Sequence, residues 1–238
     1  MKYVILDKRI PKKALAALKA RGFFPFLLPP FRRLAAPVAS HPDMLMFFGN
    51  RIFCNREYFE EAGNIISAIS KTLCLPIELG DEKISSKYPN DIAYNSLSVG
   101  SFIFGKLDYL APNISEYANR AGLTAVDVRQ GYAKCSVCRV GESAIITSDK
   151  SIEKAALALG LDVLLIKSGH VALDGYDCGF IGGATGDDGE NVYFCGNIDL
   201  HPDAEKMKAF CEAHGKTPIS LSDEPLYDVG TMFFFQTE

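Results

Sequence analysis

Four carboxylates and one ammonium, Asp43, Asp91, Lys134, Asp177 and Asp228, stand at matching places along this chain, each ahead of a short β-forming string. Gathered in one cleft, carboxylates repel one another, and some are driven to hold their protons. Lys134 offsets one of the four. A bound cation would offset the others, and a planar guanidinium could take paired hydrogen bonds from two of them. Clustered titratable groups of this kind often mark a site. An aspartate ahead of a strand also has a plain structural use, because its side chain caps turns. The pattern alone leaves both uses open.

Nucleophilic attack on an amidine carbon would need a thiolate, a nearby histidine and carboxylates for the substrate cation. Cys135 and Cys178 each lie one residue past one of the five positions. If these segments are strands, neighbours point to opposite faces, and a thiol beside an inward aspartate faces away into packing. Acidic surroundings also work against a thiolate. Each cysteine is therefore read both as a candidate nucleophile and as a buried structural thiol. His41 and His170 are the histidines near strand starts and the candidate proton carriers, with a neutral, hydrogen-bonded loop histidine as the alternative for each. Cys135 and Cys138 have a Cys-x-x-Cys spacing, but no second cysteine pair or histidine cluster stands at zinc spacing. No metal and no organic cofactor is expected.

Composition narrows the classes. The 238 residues carry 25 basic and 29 acidic side chains, a formal net charge of −4. Phosphate binding needs concentrated lysine and arginine, so a nucleic-acid partner is disfavoured. Arg32-Arg33 is the nearest basic cluster, and it is short. The glycine-rich stretch 182–189 lacks a Gly-Lys-Ser/Thr ending and carries two acids, so it reads as a long hairpin turn, not a phosphate loop. The opening Met1-Lys2-Tyr3-Val4-Ile5-Leu6-Asp7 is too short an apolar run for a signal peptide. No stretch reaches the roughly 18 apolar residues of a membrane helix. The expected location is the cytoplasm, with the seven cysteines as reduced thiols.

The elements that must position these side chains repeat. Lys2-Tyr3-Val4-Ile5-Leu6, Asn50-Arg51-Ile52-Phe53-Cys54, Ser101-Phe102-Ile103-Phe104-Gly105, Ser143-Ala144-Ile145-Ile146-Thr147 and Asn191-Val192-Tyr193-Phe194-Cys195 start 48, 51, 42 and 48 residues apart, and 49 separate the last from the first across the chain ends. Each string precedes a helical segment: 11–21, 58–71, 112–121, 151–159 and 202–214. Proline near the first turn and Gly22, Gly122, Gly160 and Gly215 after the last are expected stops. Second strands follow at 23–28, 73–79, 123–128, 161–166 and 216–221. Another short strand, starting at each of the five charged positions, precedes each string as its hairpin partner. The last such strand, 228–235, has no following string. It must pair antiparallel with 2–7, which leaves no bare sheet edge.

The pattern predicts one α/β domain, a five-fold pseudosymmetric β/α-propeller of ββαβ units. The units are 228–238 plus 1–30, 41–79, 90–128, 132–167 and 175–221. An ordinary α/β sandwich is the alternative, since alternating strands and helices suit many folds. In the ring the five charged positions face a common axis. Phe233-Phe234-Phe235 is core from the closing strand, and any exposed part of it would suggest a dimer face.

Five ββαβ units around an acidic centre resemble the pentein superfamily, which includes arginine deiminases, amidinotransferases, dimethylarginine hydrolases and a non-enzymatic translation factor. The resemblance covers the whole chain as architecture. Asp174-Gly175-Tyr176-Asp177 is similar to the acidic-Gly-Gly-Asp segment of the enzymes, and His41-Pro42-Asp43 to their His-x-Asp segment. There, the resemblance implies, the histidine is a general acid/base and the aspartate holds the guanidinium. Two departures stand out. The enzymes carry a nucleophilic cysteine at the start of the last hairpin strand, where this chain has Asp228-Val229, and no cysteine follows Cys211. Their His-x-Asp segment belongs to the third unit, where this chain has Tyr132-Ala133-Lys134.

The resulting expectation is a small cationic guest, guanidino or amino, in an axial acidic pocket. Asp43, Asp91, Asp177 and Asp228 form its carboxylate ring and Lys134 the internal counter-charge, with His41 or His170 as proton carrier. Deiminase, hydrolase or amidinotransferase chemistry is what the resemblance implies. A non-catalytic binding or scaffold module on the same fold is the alternative.

Overall fold

The structure, a computed structural model, describes residues 1–237. The chain opens with β1 (Lys2–Asp7), α1 (Lys12–Ala20) and β2 (Phe23–Leu28). Next come α2 (Pro42–Leu45), β3 (Met46–Phe48), β4 (Ile52–Asn55), α3 (Arg56–Leu73) and β5 (Ile77–Gly80). β6 (Leu97–Val99), β7 (Phe102–Gly105), α4 (Pro112–Arg120) and β8 (Thr124–Asp127) follow. After them run β9 (Val137–Val140), β10 (Ala144–Thr147), α5 (Lys150–Ala158) and β11 (Asp162–Leu165). The last are β12 (Thr185–Asp187), β13 (Asn191–Phe194), α6 (Ala204–Ala213), β14 (Thr217–Ser220) and β15 (Phe233–Gln236).

These strands make five separate three-stranded sheets, and none closes on itself. Their orders are β15-β1-β2, β3-β4-β5, β6-β7-β8, β9-β10-β11 and β12-β13-β14. In every sheet the middle strand runs antiparallel to one neighbour and parallel to the other. The antiparallel partner can follow through a tight turn, but the parallel one needs a crossover, which α1, α3, α4, α5 and α6 supply. A middle strand is covered on both faces, which is why its sequence is an unbroken apolar run. β4 and β10 are buried at every residue.

Local chemistry sets the helix limits. Asn55 accepts from the Glu57 N–H at 3.0 Å and starts α3, and Asp149 does the same for α5 through Ser151 and Ile152 at 2.8 and 3.0 Å. Along α3, Tyr58, Ala62, Ile66 and Ile69 form one buried stripe. Gly22, ending α1, has a φ of 83°, a conformation that side chains rarely adopt.

The chain ends meet as expected. β15 pairs antiparallel with β1, Val4 opposite Phe234 and Ile5 opposite Phe233. Neighbouring sheets pack through their first strands. Phe48 of β3 meets Phe233 and Phe235 of β15, ring centres 4.8 and 5.2 Å apart. Val137 of β9 shares a core with Leu97 and Val99 of β6, and Phe47 of β3 packs with Tyr94, just ahead of β6. Among the described residues, no helix is long and apolar enough to cross a membrane.

One expectation needs correcting. The hairpin strands do not start at Asp43, Asp91, Lys134, Asp177 and Asp228. They start three to eight residues later, at Met46, Leu97, Val137, Thr185 and Phe233. The intervening residues are turns and short helices, and they hold most of the polar chemistry. The largest displacement is in the fifth unit. There β12 lies inside the glycine-rich stretch expected to be a turn, and the turn itself is only 188–190.

Candidate functional site

The segments just ahead of β3, β9 and β15 converge. Pro42 opens α2 and places Asp43 in its first turn. A turn over 133–136 carries Lys134 and Cys135. Because this is a turn, the strand alternation expected of Cys135 does not apply, and its thiol reaches the same centre, Sγ 3.1 Å from Asp43 Oδ2. Asn95, from the loop ahead of β6, holds that turn in place. Its Oδ1 accepts from the N–H groups of Lys134 and Cys135 at 2.8 and 3.3 Å, and its amide donates to Cys135 Sγ at 2.9 Å.

From the last segment comes Thr231, with a φ of 65°. A β-branched residue there is a genuine outlier. Its Oγ1 donates to Asp43 Oδ2 at 2.7 Å and accepts from Lys134 Nζ at 3.3 Å. Lys134, Thr231 and Asp43 are thus linked by one shared hydroxyl. Asp43 is 1% exposed, and its other oxygen, Oδ1, has no hydrogen-bond partner among the described residues.

Asp228 is buried beside this group. Its Oδ2 accepts from the Phe180 N–H and its Oδ1 from the Gly230 N–H, both at 2.9 Å. A Cβ at Gly183 would overlap Asp228 Oδ1, and one at Gly230 would overlap the His41 ring. His41 is buried between two carboxylates, Nε2 3.7 Å from Asp7 Oδ2 and Nδ1 3.7 Å from Asp228 Oδ1. Asp7, at the end of β1, is saturated. Ser40 Oγ and the Arg9 Nε donate to its Oδ1 at 2.7 and 3.0 Å, and Arg9 Nη2 to its Oδ2 at 2.6 Å.

Two pockets flank this polar layer. One, of about 190 Å³, is lined by Asp43, Lys134 and Thr231, by Arg139 and Asp187, and by the rings of Phe48, Tyr94 and Phe233. Lys134 Nζ lies 5.8 Å from the Phe233 ring centre. The other, of about 160 Å³, is lined by Asp7, Arg9, His41, Asp174, Tyr227 and Asp228. Burial is the dominant electrostatic influence. It raises the Asp228 pKa, with His41 pulling the other way and Asp43 adding to the rise. It lowers that of Lys134, against the attraction of Asp43. It pushes the Cys135 thiol well up, and Asp43 and Asp228 push it further. A thiol so placed stays protonated and is a poor nucleophile.

Of the sequence candidates, the structure brings together Asp43, Lys134, Cys135, His41 and Asp228. Asp91 lies apart, buried, with Oδ2 accepting from the Tyr132 hydroxyl at 2.7 Å and Oδ1 unpartnered. Burial raises its pKa, which Tyr132 partly opposes. Asp177 is exposed, and Cys178 is half-buried. His170 is exposed too, its ring 5.2 Å from that of His201. Asp7, Asn95, Gly183 and Thr231 escaped the sequence reading. Thr231 had one available signal, its place two residues ahead of β15, the part of the unit from which Asp43 and Lys134 also come.

The model of a family described as "Family of unknown function (DUF6873)" matches residues 5–233. No curated protein matches the sequence. Among solved structures, DDAH from Pseudomonas aeruginosa, a cysteine-to-serine mutant complexed with citrulline, is 11% identical. The match covers 93% of this chain and 92% of that one, with a TM-score of 0.57. SxtG, an amidinotransferase from Microseira wollei in the saxitoxin biosynthetic pathway, is 14% identical, covering 92% and 88%, with a TM-score of 0.54. At identities this low the likeness is one of fold, and it extends over nearly the whole chain.

Proposed function

The chain belongs to this family of unknown function, DUF6873, and from that premise we propose that it is a pentein-fold protein that holds a small organic cation, a guanidino or amino compound, in the pocket walled by Asp43. We read the five sheets as one domain, a ring about that pocket completed by the β1–β15 pair. The contacts between neighbouring first strands support this reading.

One observation carries the ligand class. Asp43 is one of the residues that line the cavity, is almost fully buried, and has no partner for its Oδ1 among the described residues. A buried carboxylate oxygen without a donor is costly, and a ligand N–H would satisfy it. The aromatic walls suit a cation's apolar flanks and favour its charge over their faces. The pocket is smaller than the roughly 300–1,000 Å³ of drug-sized sites, which points to a compound of amino-acid size or less. The two proteins of similar fold, an amidinotransferase and a citrulline complex, make guanidino compounds the first to try. The reading does not use a thiolate, because the Cys135 thiol is held protonated by burial and two carboxylates. This favours binding over cysteine catalysis.

Thermal melting with methylguanidine, agmatine and putrescine, and with urea as the neutral control, tests the reading. At about 100 times its Kd a ligand adds about 2.7 kcal/mol, about 5–10 °C in Tm for a chain of this size. The cations should raise Tm, urea should not, and Asp43→Asn should abolish the rise. A flat response to every cation overturns the reading.

A further inference from the structure

We propose that Lys134 captures a small aldehyde or ketone in this pocket as an imine, with Thr231 and Asp43 moving its proton. The inference rests on the same pocket being open to small molecules, but not on the charge of the compound that fills it.

Three observations of geometry meet here. Lys134 is one of the residues that line the cavity, and its Nζ makes no ion pair with a carboxylate among the described residues. Its one hydrogen bond goes to the Thr231 hydroxyl at 3.3 Å. That hydroxyl has two acceptors in reach, Asp43 Oδ2 at 2.7 Å and the Gly182 carbonyl at 3.1 Å, and donating to the shorter one it makes a path from amine to carboxylate. Thr231 is kept in a left-handed backbone conformation, held by its N–H on Gly183 O at 2.9 Å and by the Met232 N–H on Thr185 O at 3.0 Å. Strain of this kind persists only where the surroundings enforce it, and it gathers at functional positions. A lysine withdrawn from water in a partly apolar pocket is the kind that reacts as a free amine. The fall in its pKa on burial agrees.

The step balances within the three residues and the substrate. The Lys134 ammonium passes one proton through Thr231 to Asp43, leaving a free amine and a carboxylic acid. The amine adds to the carbonyl carbon. The C–N bond forms as the C=O π pair moves to oxygen, and a proton shifts from nitrogen to that oxygen. The carbinolamine then loses its hydroxyl as water. The proton for that water returns from Asp43 through Thr231, and the nitrogen pair closes the C=N bond. Ammonium and carbonyl have become protonated imine and water. The Asp43 carboxylate is left ionised beside the new cation, linked to it through Thr231.

Reductive trapping tests this. The full chain is treated at neutral pH with propionaldehyde or pyruvate and sodium cyanoborohydride, and alkylated lysines are mapped by mass spectrometry. Lys134 should be alkylated at least about tenfold ahead of the exposed lysines. Thr231→Val should slow Lys134 by about 100-fold, with no change at other lysines, while Thr231→Ser should label like the wild type. The unchanged pattern at the other lysines reports that a variant is folded. Alkylation of wild-type Lys134 at or below the rate of exposed lysines overturns the proposal, and so does a folded Thr231→Val with an unchanged Lys134 rate. A Tm rise with guanidines but no adduct on Lys134 overturns this inference and leaves the cation reading standing. An adduct without any Tm response does the reverse.

Discussion

Asp7 and Asp43 are buried to nearly the same depth, 2% and 1% exposed, yet the protein treats their charges in opposite ways. Asp7 is met by a guanidinium of the chain itself. The Arg9 side chain grips both of its oxygens, the Arg9 backbone N–H and Ser40 add two more donors, and Arg9 also ties down the loop ahead of α2 through the Pro37 carbonyl at 2.8 Å. Asp43 receives only neutral donors, the Thr231 hydroxyl and the Cys135 thiol, both on one oxygen. The difference separates structure from function. A carboxylate whose cation is built in holds the fold together, and one left half-satisfied beside a cavity is where the proposed cation would be held.

Removing the built-in cation should break this contrast most visibly. Arg9→Ala leaves a buried carboxylate without its partner. Because Arg9 itself is partly exposed, the loss should be about 2–3 kcal/mol by urea unfolding, below the cost for a fully buried pair. Millimolar methylguanidine should restore part of it, because a free guanidinium can refill the Asp7 site. A variant as stable as the wild type would show that Asp7 does not depend on Arg9.

The matching change on the other side should cost far less. Asp43→Asn keeps one carbonyl acceptor for Thr231 or Cys135 and removes a charge that no cation among the described residues pairs with directly, Lys134 reaching it through the Thr231 hydroxyl. Its stability should lie within about 1 kcal/mol of the wild type, although ligand response is lost. A fall as large as that of Arg9→Ala would mean that Asp43 is as fully satisfied as Asp7 and would remove the contrast.

The smallest effect is a slope. The folded-state pKa of Lys134 lies below its unfolded value, so between the two the unfolded chain binds more protons and stability increases with pH. The gain should continue as pH climbs toward about 10.4, the ordinary lysine value, and stop there. Lys134→Met should flatten this alkaline rise. Urea midpoints across that range, wild type against variant, measure it. Identical slopes would mean that Lys134 keeps its ordinary affinity for a proton, which would weaken its contrast with the surface lysines.

Much of the fold was legible because backbone periodicity and turn chemistry are local. The five middle strands, the crossover helices and the antiparallel meeting of the two chain ends each follow from runs of a few residues. The site was legible in part. Asp43, Lys134 and Asp228 were visible as charges at equivalent places, and they do converge. Asp177 fitted the same pattern but is exposed, because the segment that corresponds to Asp43 and Lys134 in the fifth unit is 182–183, not 177. Two glycines stand there. Gly183 has no side chain to offer, and the Asp228 carboxylate fills the space. His170 likewise sat near a strand end yet points outward, since side chains in loops follow no period.

The sequence by itself determined which segments become strands and helices, how they pair within each unit, and that acids gather ahead of the hairpin strands. Only the tertiary structure decided which acids are satisfied. That depends on donors from distant segments, Arg9 for Asp7 and Thr231 for Asp43, the latter pair 188 residues apart in the chain. Hydrogen bonds and charge pairs act over a few ångströms of space regardless of separation along the chain, so no local reading of residue types could assign them.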